Sequence, residues 1–227
     1  ISVHAQKEIR KVWYSKDPKG MNFIPPGSFN YDDGTGEKTI SIQGFWMSNE
    51  ITNKEFREFY EDVKANPDSS FSWYDYTQKS EDKNYKVVTI KYSEVLDELI
   101  DESLWAKIPG YEDYFRSKAF DNFPVTGVSF KSAQYFCWWK SKRENQKNKS
   151  KSYNSEYRLP QKVEWEYAAF TGSEGKQLVA LAAGKPQKIK TGTAVNFGLY
   201  NMFDNAAEFV RNDKEDQAVV VTYSWDE

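Results

Sequence analysis

Few residues of this chain have the side chains needed for acid, base or nucleophilic chemistry. The 227 residues include one cysteine, Cys137, and one histidine, His4. Because His4 lies in the N-terminal tail, the compact part of the chain offers no Ser-His or Cys-His pair and no histidine-based zinc site. Cys137 lies on the predicted inner face of a helix, where a free cysteine acts as a small apolar side chain. Mechanisms based on carboxylates alone remain open, although no Asp or Glu pair has a spacing that identifies one.

One arginine and two glutamates lie within nine positions of the sequence, a pattern that can indicate an acid-base cluster. Arg158 precedes Glu164 and Glu166, which lie in a predicted helix. Because buried charges need partners of opposite sign, we interpret these residues as an ionic network that ties the helix to the domain.

Composition excludes several classes of protein. Charged residues make up 29% of the chain and aromatic residues 17%, and 31 basic against 34 acidic residues give a net charge of −3. This balance does not favour nucleic acid as a partner. No apolar run approaches the roughly 20 residues that span a bilayer. The aromatic excess predicts a folded domain with a large buried area.

Local patterns predict the elements that position these residues. A capping box at Thr52 and Glu55 starts an amphipathic helix over 53–64, and Ser129 caps a helix over about 130–145. Further elements are predicted as strands over 21–29 and 39–47, a turn at 32–36, a strand at 87–90 and a helix from Pro160 to about Phe170. We expect an extended lead-in over 1–20 and a single domain over 21–227, with an insertion at about 66–118.

Two segments near the C-terminal end carry a family signature. They are Tyr157–Ala169 (YRLPQKVEWEYAA) and Phe197–Phe209 (FGLYNMFDNAAEF). Together they resemble the signature of the formylglycine-generating enzyme, or sulfatase-modifying factor, family. Segments 21–29, 45–56 and 123–139 resemble further motifs of that family in the same order. The resemblance implies a mixed α/β (α+β) domain related to C-type lectins, with short strands, two or three helices and much irregular structure.

One subgroup of the family is similar over a longer stretch. Residues 111–129 and 137–143 resemble the gliding-motility lipoproteins of the GldJ/GldK (PorK) type. This resemblance implies an extracytoplasmic protein, with a lipid anchor upstream, that contacts other proteins of a motility or type IX secretion complex.

The family's oxidase chemistry needs two cysteines near the C-terminus, which bind copper and supply the reactive thiolate. This sequence has no such pair, so no catalytic residue and no copper are expected. The resemblance also implies a structural calcium ion, whose ligands transfer to Asn201, Asp204, Ala206 and Glu208. Asp204 stands where the family has glycine, so we expect backbone strain there, together with an added negative charge that would favour a cation. The alternative is that Asn201 and Glu208 only satisfy the amides of the loop.

The insertion is rich in aromatic residues. We predict partner contacts through Trp73, Tyr74, Trp105 and Tyr111, because Trp and Tyr anchor many interfaces. The alternative is a satellite core beneath a long loop.

Three functional hypotheses follow. The first is a non-catalytic extracytoplasmic scaffold or interaction protein of a gliding-motility or type IX secretion assembly. The second is a formylglycine-generating oxidase whose cysteines lie beyond Glu227, which the gene sequence would reveal. The third is a glycan- or peptide-binding module with a lectin-like fold, which a glycan array would test.

Overall fold

The computed structural model describes residues 18–32, 34–79, 85–147, 155–174, 185–212 and 218–221. Eight short strands occur in these residues: β1 Met21–Ile24, β2 Gly27–Asp32, β3 Glu37–Ile42, β4 Phe45–Ser48, β5 Ser70–Lys79, β6 Tyr85–Lys91, β7 Glu208–Arg211 and β8 Ala218–Val221. They form four antiparallel pairs, β1–β4, β2–β3, β5–β6 and β7–β8. Most of the lead-in predicted over 1–20 lies outside the described residues.

The helices are α1 Asn53–Ala65, α2 Tyr92–Val95, α3 Phe130–Lys147 and α4 Lys162–Glu166. Three single-turn 3₁₀ segments lie at Leu96–Glu98, Glu102–Leu104 and Lys118–Phe120, and a π-helical turn at Tyr167–Thr171 follows α4 directly. Among the described residues, none of the helices combines the length and apolar character needed to cross a membrane.

Both predicted helix caps are confirmed. The Thr52 hydroxyl accepts from the Glu55 amide at 3.1 Å, and a Glu55 carboxylate oxygen accepts from the Thr52 amide at 3.1 Å. Ser129 caps α3 by accepting from the Ser132 amide at 3.1 Å. These contacts involve residues only three positions apart, so they need no tertiary structure to form.

Each of the two predicted N-terminal strands is divided in the structure. The stretch 21–29 contains β1 and the start of β2, separated by Pro25 and Pro26, which cannot donate to a strand ladder. The stretch 39–47 contains the end of β3 and most of β4. A Cβ at the intervening Gly44 would lie 3.1 Å from Phe23 and from Pro26. A side chain at this break would therefore force Phe23 or Pro26 to move by a few tenths of an ångström, so the packing favours glycine.

The third predicted helix starts later than expected. Gln161 pairs with Arg211 in an isolated bridge, so the helix begins at Lys162 and not at Pro160. The π-helical turn then carries the chain to Gly172, near the predicted end. Tyr167 in this turn donates its hydroxyl to the carbonyl oxygen of Pro25 at 3.1 Å.

Two apolar clusters make up the core. The strand-side cluster surrounds Trp165, Leu199 and Val210, and the helix-side cluster surrounds Phe59, Tyr92 and Tyr135. A polar segment, Asn49–Asn53, joins them. Asn49 accepts from the Tyr200 amide at 2.8 Å, and the Asn53 side chain donates to the carbonyl oxygens of Tyr114 and Phe120 at 3.3 and 3.2 Å. These bonds connect distant loops to a single short stretch between the clusters.

Candidate functional site

A cleft of about 680 Å³ opens where the two clusters meet. Its apolar lining includes Phe45 and Met47 of β4, Phe136 of α3 and Phe209 of β7. Eight charged residues also line it: Lys19, Glu50, Lys140, Glu144, Glu156, Arg158, Glu164 and Glu208. The cleft has the size of a ligand pocket, and its mixed lining is typical of sites that bind organic or peptide groups.

Glu50 is the most perturbed carboxylate of this cleft. Its side chain is 9% exposed, and Oε1 accepts from the Asn205 side-chain amide at 2.9 Å. Oε2 is buried and has no hydrogen-bond partner among the described residues. Burial raises the pKa of Glu50 to about 9, with a further contribution from the negative charge of Glu208, while hydrogen bonds from Asn205 and the Ala206 amide oppose the shift. Without a cation nearby, Glu50 is therefore protonated at neutral pH.

Glu208 begins β7 and faces the same cleft. The Trp165 indole N–H donates to its Oε2, and burial raises the pKa of Glu208 to about 7. The structure thus brings two carboxylates with raised pKa values together, which the sequence did not indicate. The signal in the sequence is Glu50 itself, a charged residue between an apolar strand and a helix cap.

The loop that carries the predicted calcium ligands has two residues in the left-handed region. Asn201 has φ 58° and Asn205 has φ 70°, whereas Asp204 is not among the residues with positive φ. The expected strain at Asp204 is therefore wrong. Asparagine tolerates the left-handed conformation better than most residues, so the loop places its strained positions where the sequence offers asparagine.

Asn201, Asp204 and Ala206 lie near one another in this loop. The Asn201 amide donates to Asp204 Oδ1 at 2.9 Å and to the carbonyl oxygen of Thr191 at 3.1 Å. Asn201 Oδ1 is buried and lacks a hydrogen-bond partner among the described residues. The negative charge of Asp204 also acts on Glu50, which links this loop to the carboxylates of the cleft.

The oxygen chemistry of this region fits calcium. Carboxylate, amide and carbonyl oxygens are the ligands that Ca²⁺ prefers, and Asn201 Oδ1 and Glu50 Oε2 are buried oxygens without a hydrogen-bond partner in the described part of the chain. In the part of the chain that the structure describes, no three His, Cys, Asp or Glu side chains converge as a metal site. A calcium ion here would therefore need neutral oxygen ligands and water in addition to carboxylates. Asn201, Asp204, Ala206 and Glu208 as its ligands stay a prediction.

Cys137 lies in the wall of the cleft on α3. Burial raises the pKa of its thiol to about 12, although the positive charges of Lys140 and Arg158 oppose the shift. Because the thiolate is the reactive form of cysteine, this environment disfavours nucleophilic chemistry at Cys137.

The predicted ionic network is present in part. Arg158 donates to both carboxylate oxygens of Glu164 at 2.7 and 2.6 Å, and Glu164 also accepts from the Gln161 amide at 2.8 Å. Glu166 lies outside this pair and contacts Lys162 at 3.6 Å. The four-residue spacing of Lys162 and Glu166 places them on one face of the helix, which explains the separate pair.

The aromatic residues of the insertion pack against the fold. Trp105 is 7% exposed and donates its indole N–H to the Thr126 hydroxyl at 2.6 Å, and half-buried Tyr111 lies 5.6 Å from its ring. Trp73 stacks on Trp138 with ring centroids 4.3 Å apart. Tyr74 lies in β5, opposite Val87 of β6. The three residues other than Tyr74 thus contribute to internal packing, and partner contacts by all four stay a prediction.

Comparisons with known proteins agree with this fold. The cattle (Bos taurus) protein "Inactive C-alpha-formylglycine-generating enzyme 2" is 29% identical over 129 residues, which cover 56% of this chain and 37% of that protein. The chain thus spans little more than a third of this relative. The crystal structure of CarF aligns with a TM-score of 0.53 at 15% identity, over 92% of this chain and 87% of CarF, which supports the fold alone.

A sequence profile of the sulfatase-modifying factor enzyme 1-like domain (FGE-sulfatase) matches residues 8–194, which is most of the chain. The mixed α/β architecture with short paired strands and few helices confirms the predicted fold class. The chain belongs to the sulfatase-modifying factor enzyme 1-like (FGE-sulfatase) family.

Proposed function

We propose that this chain is a non-catalytic interaction domain that binds a polypeptide segment of a partner in its cleft. The observation that carries the proposal is the chemistry of the cleft, whose thiol, Cys137, has a pKa raised to about 12 by burial. The 227 residues contain no second cysteine with which it could form the pair that the family's oxidase chemistry requires. A relative of the same family that is named inactive also supports the proposal.

The lining of the cleft suits a polypeptide. Phe45, Met47, Phe136 and Phe209 provide apolar contact area, and charged side chains of both signs, such as Lys140 and Glu156, line the wall. A bound peptide can bury apolar side chains on the first set while its backbone and charged groups contact the second. This division between apolar contacts and a few placed polar groups is the usual basis of specificity in such sites.

We further propose that the partner belongs to an extracytoplasmic assembly of the gliding-motility or type IX secretion kind, and that a lipid anchor upstream holds the protein at the membrane. The support is the resemblance of residues 111–129 and 137–143 to the GldJ/GldK lipoproteins. Fractionation of the source cells tests the location, because a cytoplasmic protein would contradict this part of the proposal and leave the cleft proposal standing.

The experiment that tests the interaction uses one substitution inside the cleft and one outside it. Ala207 is exposed and lines the cleft, so Ala207→Trp should fill part of the binding volume without disturbing the core. Leu104 is 52% exposed and is not part of the lining, so Leu104→Trp is a matched control. Affinity purification with quantitative mass spectrometry should recover a set of partners with the wild type and the control that the Ala207 variant loses.

Two outcomes would contradict the proposal. Equal recovery of every partner by both variants would place the interaction elsewhere on the surface. Conversion of a cysteine-containing sulfatase peptide to formylglycine by the purified chain, with copper and oxygen supplied, would show that the chain is catalytic.

A further inference from the structure

The carboxylate of Glu50 is buried, and only one of its two oxygens accepts a hydrogen bond from the described residues. The residue is 9% exposed, its Oε1 is bonded to Asn205, and its Oε2 has no hydrogen-bond partner among the described residues. An unpaired polar atom of this kind costs free energy in a folded protein unless a proton, water or ion satisfies it. The position of Glu50 in the chain, just before the caps of α1, gives it no helical role, because Thr52 and Glu55 already cap that helix.

The charged groups that act on Glu50 from the described part of the chain are negative. The charges of Glu208 and Asp204 both act on it, and Glu208 lines the same cleft. Among the described residues, the side chains that donate to Glu50 and Glu208 are neutral: the Asn205 amide and the Trp165 indole. Neutral donors bring no positive charge to this region, whereas a divalent cation would.

We propose that Glu50 is an additional carboxylate ligand of a Ca²⁺ ion bound beside Glu208 and the loop of residues 201–206. This inference rests on the calcium prediction for the loop and extends it with Glu50, a residue from a distant segment of the chain whose carboxylate accepts from Asn205 of the loop. Two independent features point to the ion. One is the buried, unpartnered Glu50 Oε2, and the other is the buried, unpartnered Asn201 Oδ1 in the loop itself.

A bound ion would connect the two apolar clusters. Glu50 belongs to the polar segment that leads into α1 of the helix-side cluster, and Glu208 starts β7 of the strand-side cluster. A ligand shared by both would hold the cleft at a fixed width. The cleft is therefore expected to be better ordered with calcium than without it.

Titration calorimetry with CaCl₂ tests the inference on the wild type and on Glu50→Gln, Glu208→Gln and Glu144→Gln. Glutamine at position 50 keeps an oxygen that can accept from Asn205 and Ala206, so the variant is expected to fold. We expect one bound ion per wild-type chain, and an affinity reduced about tenfold or more in the Glu50 and Glu208 variants, because the charge of the ligands tunes calcium affinity. Glu144 also lines the cleft but pairs with Lys147, so Glu144→Gln should bind like the wild type.

Terbium luminescence provides a second readout. The Trp165 indole donates to Glu208, so excitation of tryptophan should sensitise Tb³⁺ bound at this site. Calcium should displace the signal, and both Glu50→Gln and a shorter variant of the same charge, Glu50→Asp, should weaken it.

The outcomes separate the inference from the proposals on which it depends. Wild-type calcium affinity in both Glu50 variants, together with its loss in Glu208→Gln, would overturn the role of Glu50 and leave calcium in the loop. No calcium binding by the wild type at millimolar concentration would overturn both. Neither result depends on whether the cleft binds a partner, because the measurement uses the isolated chain and the metal alone.

Discussion

Substitution of Trp105 tests whether the aromatic residues of the insertion stabilise the fold or bind a partner. In the structure Trp105 is 7% exposed and lies 5.3 Å from the Tyr114 ring and 5.6 Å from the Tyr111 ring. Its N–H donates to the Thr126 hydroxyl at 2.6 Å, and the two residues are 21 positions apart in the chain. The side chain therefore joins the insertion to the segment that precedes α3.

Replacing Trp105 with alanine should lower the free energy of unfolding by about 3–5 kcal/mol, the usual cost of removing a buried tryptophan. For a domain of this size, each kcal/mol lowers the melting temperature by about 2–4 °C, so a decrease of roughly 6–20 °C is expected. Trp105→Phe keeps most of the ring contacts and leaves the Thr126 hydroxyl without its donor. A smaller loss of about 1–3 kcal/mol is therefore expected for that variant.

Urea denaturation followed by circular dichroism measures these differences, and Leu104→Ala is the matched control. Leu104 is the adjacent residue and is 52% exposed, so its truncation should change stability by less than about 0.5 kcal/mol. The reasoning would be refuted if Trp105→Ala unfolded at the wild-type denaturant concentration and lost only partner binding. Trp105 would then be an interface anchor, as the sequence had suggested for the aromatic residues of the insertion.

Three further predictions concern other parts of the molecule. Cys137→Ala should leave any biological activity intact and cost about 1–2 kcal/mol of stability. The native thiol should resist iodoacetamide at pH 8.5 until denaturant is added, because burial raises its pKa to about 12. Rapid labelling of the native protein would contradict this prediction. Calcium, but not magnesium, should raise the melting temperature by mass action, and Glu208→Ala should abolish that increase. If a calorimetric scan of the Glu208 variant showed the same increase as the wild type, Glu208 would not be a ligand. Thr52→Ala should lower the free energy of unfolding, measured by chemical denaturation, by about 0.5–2 kcal/mol, because it removes the cap of α1. A decrease below about 0.2 kcal/mol would show that tertiary packing alone sets the start of that helix.

Elements whose cause is local could be predicted accurately. The α1 cap uses Thr52 and Glu55, the α3 cap uses Ser129, and the turn at 32–36 forms where the Asp32 carboxylate accepts from the amides of Gly34 and Gly36 at 2.8 and 3.3 Å. Each of these contacts spans at most four residues. The error in the start of α4 arose where distant residues decide, because Arg211 pairs with Gln161. The break between β1 and β2 has a local cause, Pro25 and Pro26, which the sequence already contains.

The same distinction between local and distant contacts applies to the candidate site. The family motif implied a calcium ion in the loop of residues 201–208, which stays a prediction, and two residues of that loop, Asn201 and Asn205, are buried with left-handed backbone conformations. It did not predict Glu50 as a neighbour of that loop. No periodicity or capping rule relates Glu50 to Asn205, which lies 155 positions further along the chain.

The sequence by itself determined the family, the mixed α/β class, the two helix caps and the presence of a single thiol, because each of these depends on residue identity or on contacts between near neighbours. Only the tertiary structure decided that Glu50 and Glu208 share a cleft, that Cys137 lies in its wall and that Trp105 is buried. These facts depend on how the two apolar clusters pack against each other. Such packing brings together residues from distant segments. The electrostatic environment that sets the pKa of a buried carboxylate exists only once this packing has formed.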